Sequence, residues 1–416
     1  MQLLGVTTKQ NMQKTLITTI FLSLFILSKN LFSQDNKMPS NFADSIPIIY
    51  YRNHIYIKGK VDSIHGSFVF DTGASNLYFD TVFYSENKFS YKNIKYGILP
   101  GAGTTPPKVI VILDTVNFLF QNNNYKTKIV PVLKLKPVLG DISDGIIGWK
   151  YFSNKALEIN YEKGYLKIHS NITSVNTSGY KKIFLKQNNN KFFLPLKIII
   201  NNTTKVDGEF LLDIGSGEDI SFTSSIAEKY NLDKTIKKKV KYFTNYGGVG
   251  GKSSSYFFIS DTLQITDFIL EKVTMSYSID KSGALSSDKY FGLIGNGILE
   301  RFDIVIDFKE SYLYIKPNDT YNSKFELSRL GFSYVDRHKT IGAWIVTGLY
   351  ENSFAKINGL KIDDKIISIN NIPISQIKYN EQDSFFDDLN NIILKIKRGN
   401  SVTEINIKLK KYDSNR

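Results

Sequence analysis

The chain has 416 residues, 42% of them hydrophobic, and its 53 basic and 39 acidic side chains leave a formal charge of +14. That length and apolar content are enough for two or three packed cores and exclude a disordered chain. With no cysteine there is no disulfide, thiolate metal site or cysteine nucleophile, and four scattered histidines, none at helical ligand spacing, argue against a histidine-held metal.

In chain order, Lys14 precedes an apolar run over residues 16–27, followed by small and polar residues such as Ser28 and Ser33. A basic flank, a short apolar stretch and a small-residue exit predict a signal peptide over residues 1–33, with Met12 as the expected start of translation. The run falls short of the ~20 residues that span a bilayer. The expected mature protein is therefore soluble and exported, to a periplasm or the medium, with no integral membrane span.

Short alternating β-branched and aromatic runs then follow one another, separated by Gly, Asn and Asp clusters, which predicts a mainly β architecture. Residues 46–60 lead into Val69, Phe70, Asp71, Thr72, Gly73 and Ala74, and residues 192–200 lead into Leu211, Leu212, Asp213, Ile214, Gly215 and Ser216. An apolar-apolar-Gly element also occurs twice, as Ile146, Ile147, Gly148 and as Leu293, Ile294, Gly295. The separations from Asp to Gly are 77 and 82 residues. Nine positions after each glycine, residues 157–168 align with residues 304–315, both reading as a strand pair. Order and spacing are kept together, so the chain is read as an internal duplication, with lobes over residues 45–170 and 180–317. Residues 171–180 lose the alternation and are the expected linker. Residues 224–230 are the best helix candidate.

After Pro317 the pattern changes. Residues 354–370 read as a short helix, a glycine turn and a strand, preceded by a strand-like stretch over 343–347 and followed by two more over 391–396 and 402–409. This is a third module, over residues 325–412, of a size for an independent domain.

Two Asp-x-Gly turns at the ends of buried strands are chemically specific. A strand delivers each carboxylate rigidly, and glycine lets backbone N–H groups approach it. If the repeats pack about a pseudo-twofold, the carboxyls meet, both cannot ionise, and they share one proton. Such a pair activates water without a metal, histidine or covalent intermediate. No cofactor is expected. The dispersed lysines, with one triplet over 237–239, read as a solvated surface and not as a nucleic-acid track.

On these residues the chain resembles the aspartyl proteases, of retropepsin-like and pepsin-like architecture, over residues 46–317. The resemblance implies a two-lobed acid-protease β-barrel fold and an aspartic endopeptidase acting on a polypeptide, with Asp71 and Asp213 as the catalytic pair. Thr72, Gly73, Gly215, Ser216, Gly148 and Gly295 support the two loops, Ser216 with a hydroxyl able to fix a carboxylate. It also implies a glycine-bearing flap, for which Gly101 and Gly103 in the first lobe and Tyr246, Gly247 and Gly248 in the second are candidates. Ile214 stands where the family has Thr or Ser, so the alternative is a catalytically silent peptide-binding protein. Residues 355–370 resemble the centre of a PDZ domain, which implies capture of a peptide or protein C-terminus; Gly342 is the expected nest, Ala343 opens the receiving strand, and Trp344 either contacts the peptide or fills a pocket. A monomer is expected.

Overall fold

A computed structural model describes residues 45–410 apart from Pro100 and Ala102; the expected signal peptide and start at Met12 lie outside the described residues. Residues 46–410 fall within one compact unit of mainly β structure.

The first half runs β1 (Ser45–Tyr51), β2 (His54–Val61), β3 (Ile64–Asp71), β4 (Leu77–Asp80), β5 (Ile94–Ile98), β6 (Lys108–Ile112), β7 (Val116–Phe120), β8 (Asn123–Thr127), β9 (Val130–Leu133), β10 (Gly145–Gly148), β11 (Ala156–Asn160) and β12 (Tyr165–His169). The second half runs β13 (Lys181–Phe184), β14 (Lys186–Asn188), β15 (Lys191–Asn201), β16 (Thr204–Leu212), β17 (Ile220–Phe222), β18 (Val240–Thr244) and β19 (Ser253–Ile259). It continues with β20 (Thr262–Ile265), β21 (Phe268–Glu271), β22 (Thr274–Ser278), β23 (Gly292–Ile294), β24 (Phe302–Asp307) and β25 (Tyr312–Pro317).

The pairing repeats between the halves. In the first, β3 lies parallel to β10, β10 antiparallel to β4, β4 parallel to β9, and β9 antiparallel to β6 of the β5–β6 hairpin. In the second, β16 lies parallel to β23, β23 antiparallel to β17, β17 parallel to β22, and β22 antiparallel to β19 of the β18–β19 hairpin. The matching downstream segments become the hairpins β11–β12 and β24–β25, and these meet edge to edge with Leu157 opposite Ile306 and Ile159 opposite Ile304. They form a shared run of strands, β13-β25-β24-β11-β12-β1, that joins the halves.

Packing follows the strand period. Phe68 and Phe70 on β3 and Phe210 and Leu212 on β16 are fully buried in one continuous core. At the seam, Trp149 meets Phe192 edge-on with ring centres 4.8 Å apart and stacks on Phe308 at 5.9 Å. The linker packs its apolar residues Ile172, Val175 and Tyr180 on Ala156 and Val305. The expected helix forms over Ser224–Lys229, with Thr223 accepting from Ile226 N as its N-cap.

The third module has a core of its own around Trp344, Ile366 and Leu394. Its strands are β26 (Phe332–Arg337), β27 (Ala343–Tyr350), β28 (Lys365–Ile369), β29 (Ile372–Pro373), β30 (Asn391–Arg398) and β31 (Ser401–Lys408). Its sheet continues that of the second half, because β18 pairs with β27 through Tyr242–Tyr350, Phe243–Leu349 and Thr244–Gly348.

Candidate active site

Asp71 ends β3 and Asp213 follows β16, the two strands whose parallel partners carry the apolar-apolar-Gly elements. Gly148 N donates to Asn76 O at 2.8 Å, and Gly295 N to Asp219 O at 3.0 Å, each reaching the loop that follows its aspartate. A Cβ at Gly148 would stand 2.4 Å from the Ser75 carbonyl carbon, and one at Gly295 would stand 2.3 Å from Glu218 O. Only glycine lets these strands approach their loops so closely.

The two loops cross. A Cβ at Gly73 would lie 2.9 Å from Asp213 Oδ1 and 3.1 Å from Asp71 Oδ1, while one at Gly215 would lie 2.2 Å from Asp71 Cγ. Each carboxyl therefore rests on the glycine of the other half's turn, and the two carboxyls share a side-chain hydrogen bond. Ala74 N donates to Asp71 Oδ1 at 3.0 Å and Gly215 N to Asp213 Oδ1 at 3.1 Å. Burial lifts the Asp71 carboxyl above its ordinary value, while the bond to Asp213 and the N–H groups of Ala74 and Gly73 oppose the rise. Asp213 is pushed much higher, by burial and then by the charge of Asp71. One proton on Asp213 and one charge on Asp71 is the arrangement this asymmetry favours. Lys191, at the head of β15, draws both values down.

Thr72 is fully buried and ties the loops together. Its Oγ1 donates to Leu212 O at 2.7 Å and accepts from Ile214 N at 2.9 Å. Ile214, also fully buried, has no hydroxyl to return the gesture, so the tie runs one way. Ser216 differs from expectation: its hydroxyl accepts from Glu218 N at 3.3 Å, closing its own turn rather than holding a carboxylate.

Asn296 is a supporting residue that sequence reasoning missed. Wholly buried, it donates from Nδ2 to Ile214 O at 2.6 Å and to Asn53 O at 2.8 Å, and accepts from Tyr161 OH at 2.8 Å. It thus pins the second aspartate loop to the β1–β2 turn. Its position directly after Gly295 was the one clue.

Both glycine-bearing loops face each other, so neither is singled out as the flap. Gly103 N donates to Val249 O at 3.0 Å, Thr105 N to Gly250 O at 2.9 Å, and Gly101 approaches Val249 closely. Gly247 N closes its own loop on Gly251 O at 2.7 Å, Gly248 takes a positive φ of 86°, and Tyr246 OH leaves the loop tip to bond Asp363 Oδ1 at 2.6 Å. Leu99 and Val249 pack against the same buried cluster, Tyr51, Tyr56 and Val69 among its members, that Ala74 and Tyr78 of the first half pack against.

The structure corrects the peptide-receiving strand in the third module. β27 is buried along its whole length, with β26 on one edge and β28 and β18 on the other, so it has no edge to offer. Gly342, at φ 72°, ends a short helix over His338–Ile341 instead of forming a nest. Trp344 fills a pocket: it is fully buried and stacks on Tyr334 with ring centres 4.4 Å apart. Ala343 is buried beside it. The strand with no strand paired on its outer edge is β26, and Leu330, Gly331 and Phe332 at its start are the apolar-Gly-apolar signal that would have marked it.

Among known families, the PDZ domain matches residues 322–397, and this part of the chain is a PDZ domain, a module for peptide or protein docking. No curated protein matches the chain. Among the described residues, no helix is long and apolar enough to cross a membrane and no cluster of side chains is arranged to hold a metal ion.

Proposed function

We propose that the chain is an exported aspartic endopeptidase with a two-lobed acid-protease β fold and a PDZ domain that docks peptide or protein segments. The observation that carries this reading is the crossing of two Asp-x-Gly turns, each carboxyl seated on the other turn's glycine and sharing a hydrogen bond with its counterpart. An extended polypeptide would lie between the paired loops and the aspartates, its backbone pairing with theirs. Asp71, the more acidic member, takes a proton from water as the water oxygen attacks the peptide carbonyl. Protonated Asp213 donates to the carbonyl oxygen as its charge develops, giving a tetrahedral diol. The proton gained by Asp71 then passes to the amide nitrogen, the C–N bond breaks, and Asp213 regains a proton as the new carboxyl forms.

The test is hydrolysis of unfolded casein by the purified protein over acidic to neutral pH, with Asp71→Asn and Asp213→Asn alongside. Cleavage by the wild type that is lost in both variants supports the enzyme. One observation favours a second reading: the one-way tie left by Ile214, which loosens the pair. Wild-type inactivity with intact peptide binding would select that reading, a silent peptide binder using the same cleft.

A further inference from the structure

The PDZ domain touches both halves at places that bear on the cleft. The outer edge of β26 faces the first half. There Tyr334 O accepts from Arg52 Nη1 at 2.6 Å and Asp336 O from Asp141 N at 2.9 Å. These carbonyls are two residues apart, the spacing at which an added strand would take its hydrogen bonds. The contact is reinforced. The Asp141 carboxylate accepts from Arg337 Nε at 2.7 Å, Thr340 N at 2.9 Å and Thr340 Oγ1 at 2.7 Å, and the Arg52 guanidinium lies 4.1 Å above the Tyr334 ring. On the other side, β27 carries β18, and Asp363 holds Tyr246 of the second glycine loop, whose Val249 and Gly250 in turn hold the first loop.

We propose that the PDZ domain is a latch across the cleft, with its strand-adding edge occupied by the first half and freed when an extended polypeptide pairs along β26. The occupant is a peptide backbone because the capped groups are main-chain carbonyls at ladder spacing, which call for a row of N–H donors. Docking would displace Arg52 from Tyr334. Arg52 begins the turn whose Asn53 donates to Gly217 O at 2.9 Å and accepts from Asn296, the residue that also holds Ile214 O. The same event would free the domain carrying β18 and the second loop. Peptide binding would thus reach both the Asp213 turn and the glycine loops. The inference rests on the cleft reading given above, and its test separates the two.

The described chain has no cysteine, so Lys134→Cys and Lys361→Cys, both at exposed positions, can carry a pair of spin labels reporting the separation of first half and PDZ domain. The probe is a fluorescein-labelled pool of random-sequence peptides with free C-termini. The wild type should show one distance population, which saturating peptide moves toward longer separations. Arg52→Ala and Arg52→Ala/Asp141→Ala should show longer separations without peptide and bind the pool about tenfold more tightly, since the competing contact is gone. Thr340→Val, which removes a partner of Asp141 but no charge, serves if the double variant does not fold. Variants that keep the wild-type distance and bind the pool no better overturn the latch. Separation on peptide binding with no casein hydrolysis sustains the latch and removes the peptidase reading; hydrolysis with labels that never separate does the reverse.

Discussion

Thr72→Val keeps the outline of the side chain and removes the hydroxyl that joins the aspartate loops. That oxygen is fully buried, 2.7 Å from Leu212 O and 2.9 Å from Ile214 N, so valine leaves a carbonyl and an N–H of the opposite half without partners in a dry site. Each stranded group costs about 1–3 kcal/mol, and with some local relaxation the pair should cost about 3 kcal/mol. The reporter is built in. In a Trp344→Phe background Trp149 is the sole indole, and it packs on Phe192 and Phe308 across the seam between halves. Urea unfolding followed by its fluorescence, with a slope of about 3 kcal/mol per molar, should show a midpoint lower by about 1 M. Thr72→Ser, which keeps the hydroxyl, should lose less than half as much. Equal midpoints for the valine and serine variants would refute the reasoning, because shape and not the hydrogen bonds would then be holding the loops.

Two further outcomes follow from the same geometry. Gly148→Ala should cost more than about 3 kcal/mol or give no soluble protein, since its Cβ would meet backbone at 2.4 Å, whereas Gly97→Ala, whose nearest neighbour is 3.9 Å away, should fold normally; similar urea midpoints for the two would discount the brace. Asp219 lines a cavity of about 340 Å³, is half-buried there, and burial lifts its carboxyl to about 6. That folded value lies above the unfolded one near 4, so the folded state holds an extra proton at this site; the stability Asp219 contributes is full below about pH 4 and is lost as pH rises through about 6. Asp219→Asn should flatten that part of the fall in urea midpoints taken across this range, and an unchanged slope would count against the assignment.

The duplication was legible because it was written at three levels: the Asp-x-Gly turns, the apolar-apolar-Gly elements and the strand pairs that follow them. Together they marked two equivalent halves, and the structure realises the equivalence as the parallel pairs β3–β10 and β16–β23, which the sequence pattern did not itself specify. Asn296 was not legible, since its work is done at Asn53, 243 positions away, and nothing local distinguishes it from a turn asparagine. Likewise, the pairing of Asp141 with Arg337 joins different domains, and neither residue stands in a motif.

The misplaced peptide edge has a physical lesson of its own. Residues 343–350 read Ala, Trp, Ile, Val, Thr, Gly, Leu, Tyr, a nearly continuous apolar run, which belongs to a strand covered on both faces and flanked by neighbours. An edge that receives a ligand should instead keep polar residues in its pattern, as β26 does with Ser333, Asp336 and Arg337. Gly342 drew attention because it precedes a strand, yet glycine with positive φ serves equally to end a helix, and here it does. Strand polarity thus separated the central from the outer position where the glycine could not. The same polarity explains why the outer edge is covered: buried Arg337 finds its partner across the contact in Asp141 of the first half, while buried Asp336 is met within the domain by Gln382, whose Oε1 in turn accepts from Tyr51 OH of the first half. A domain that docked only through apolar contact could shift freely; one whose buried charges are matched residue by residue has a single registered position, which is the property a latch requires.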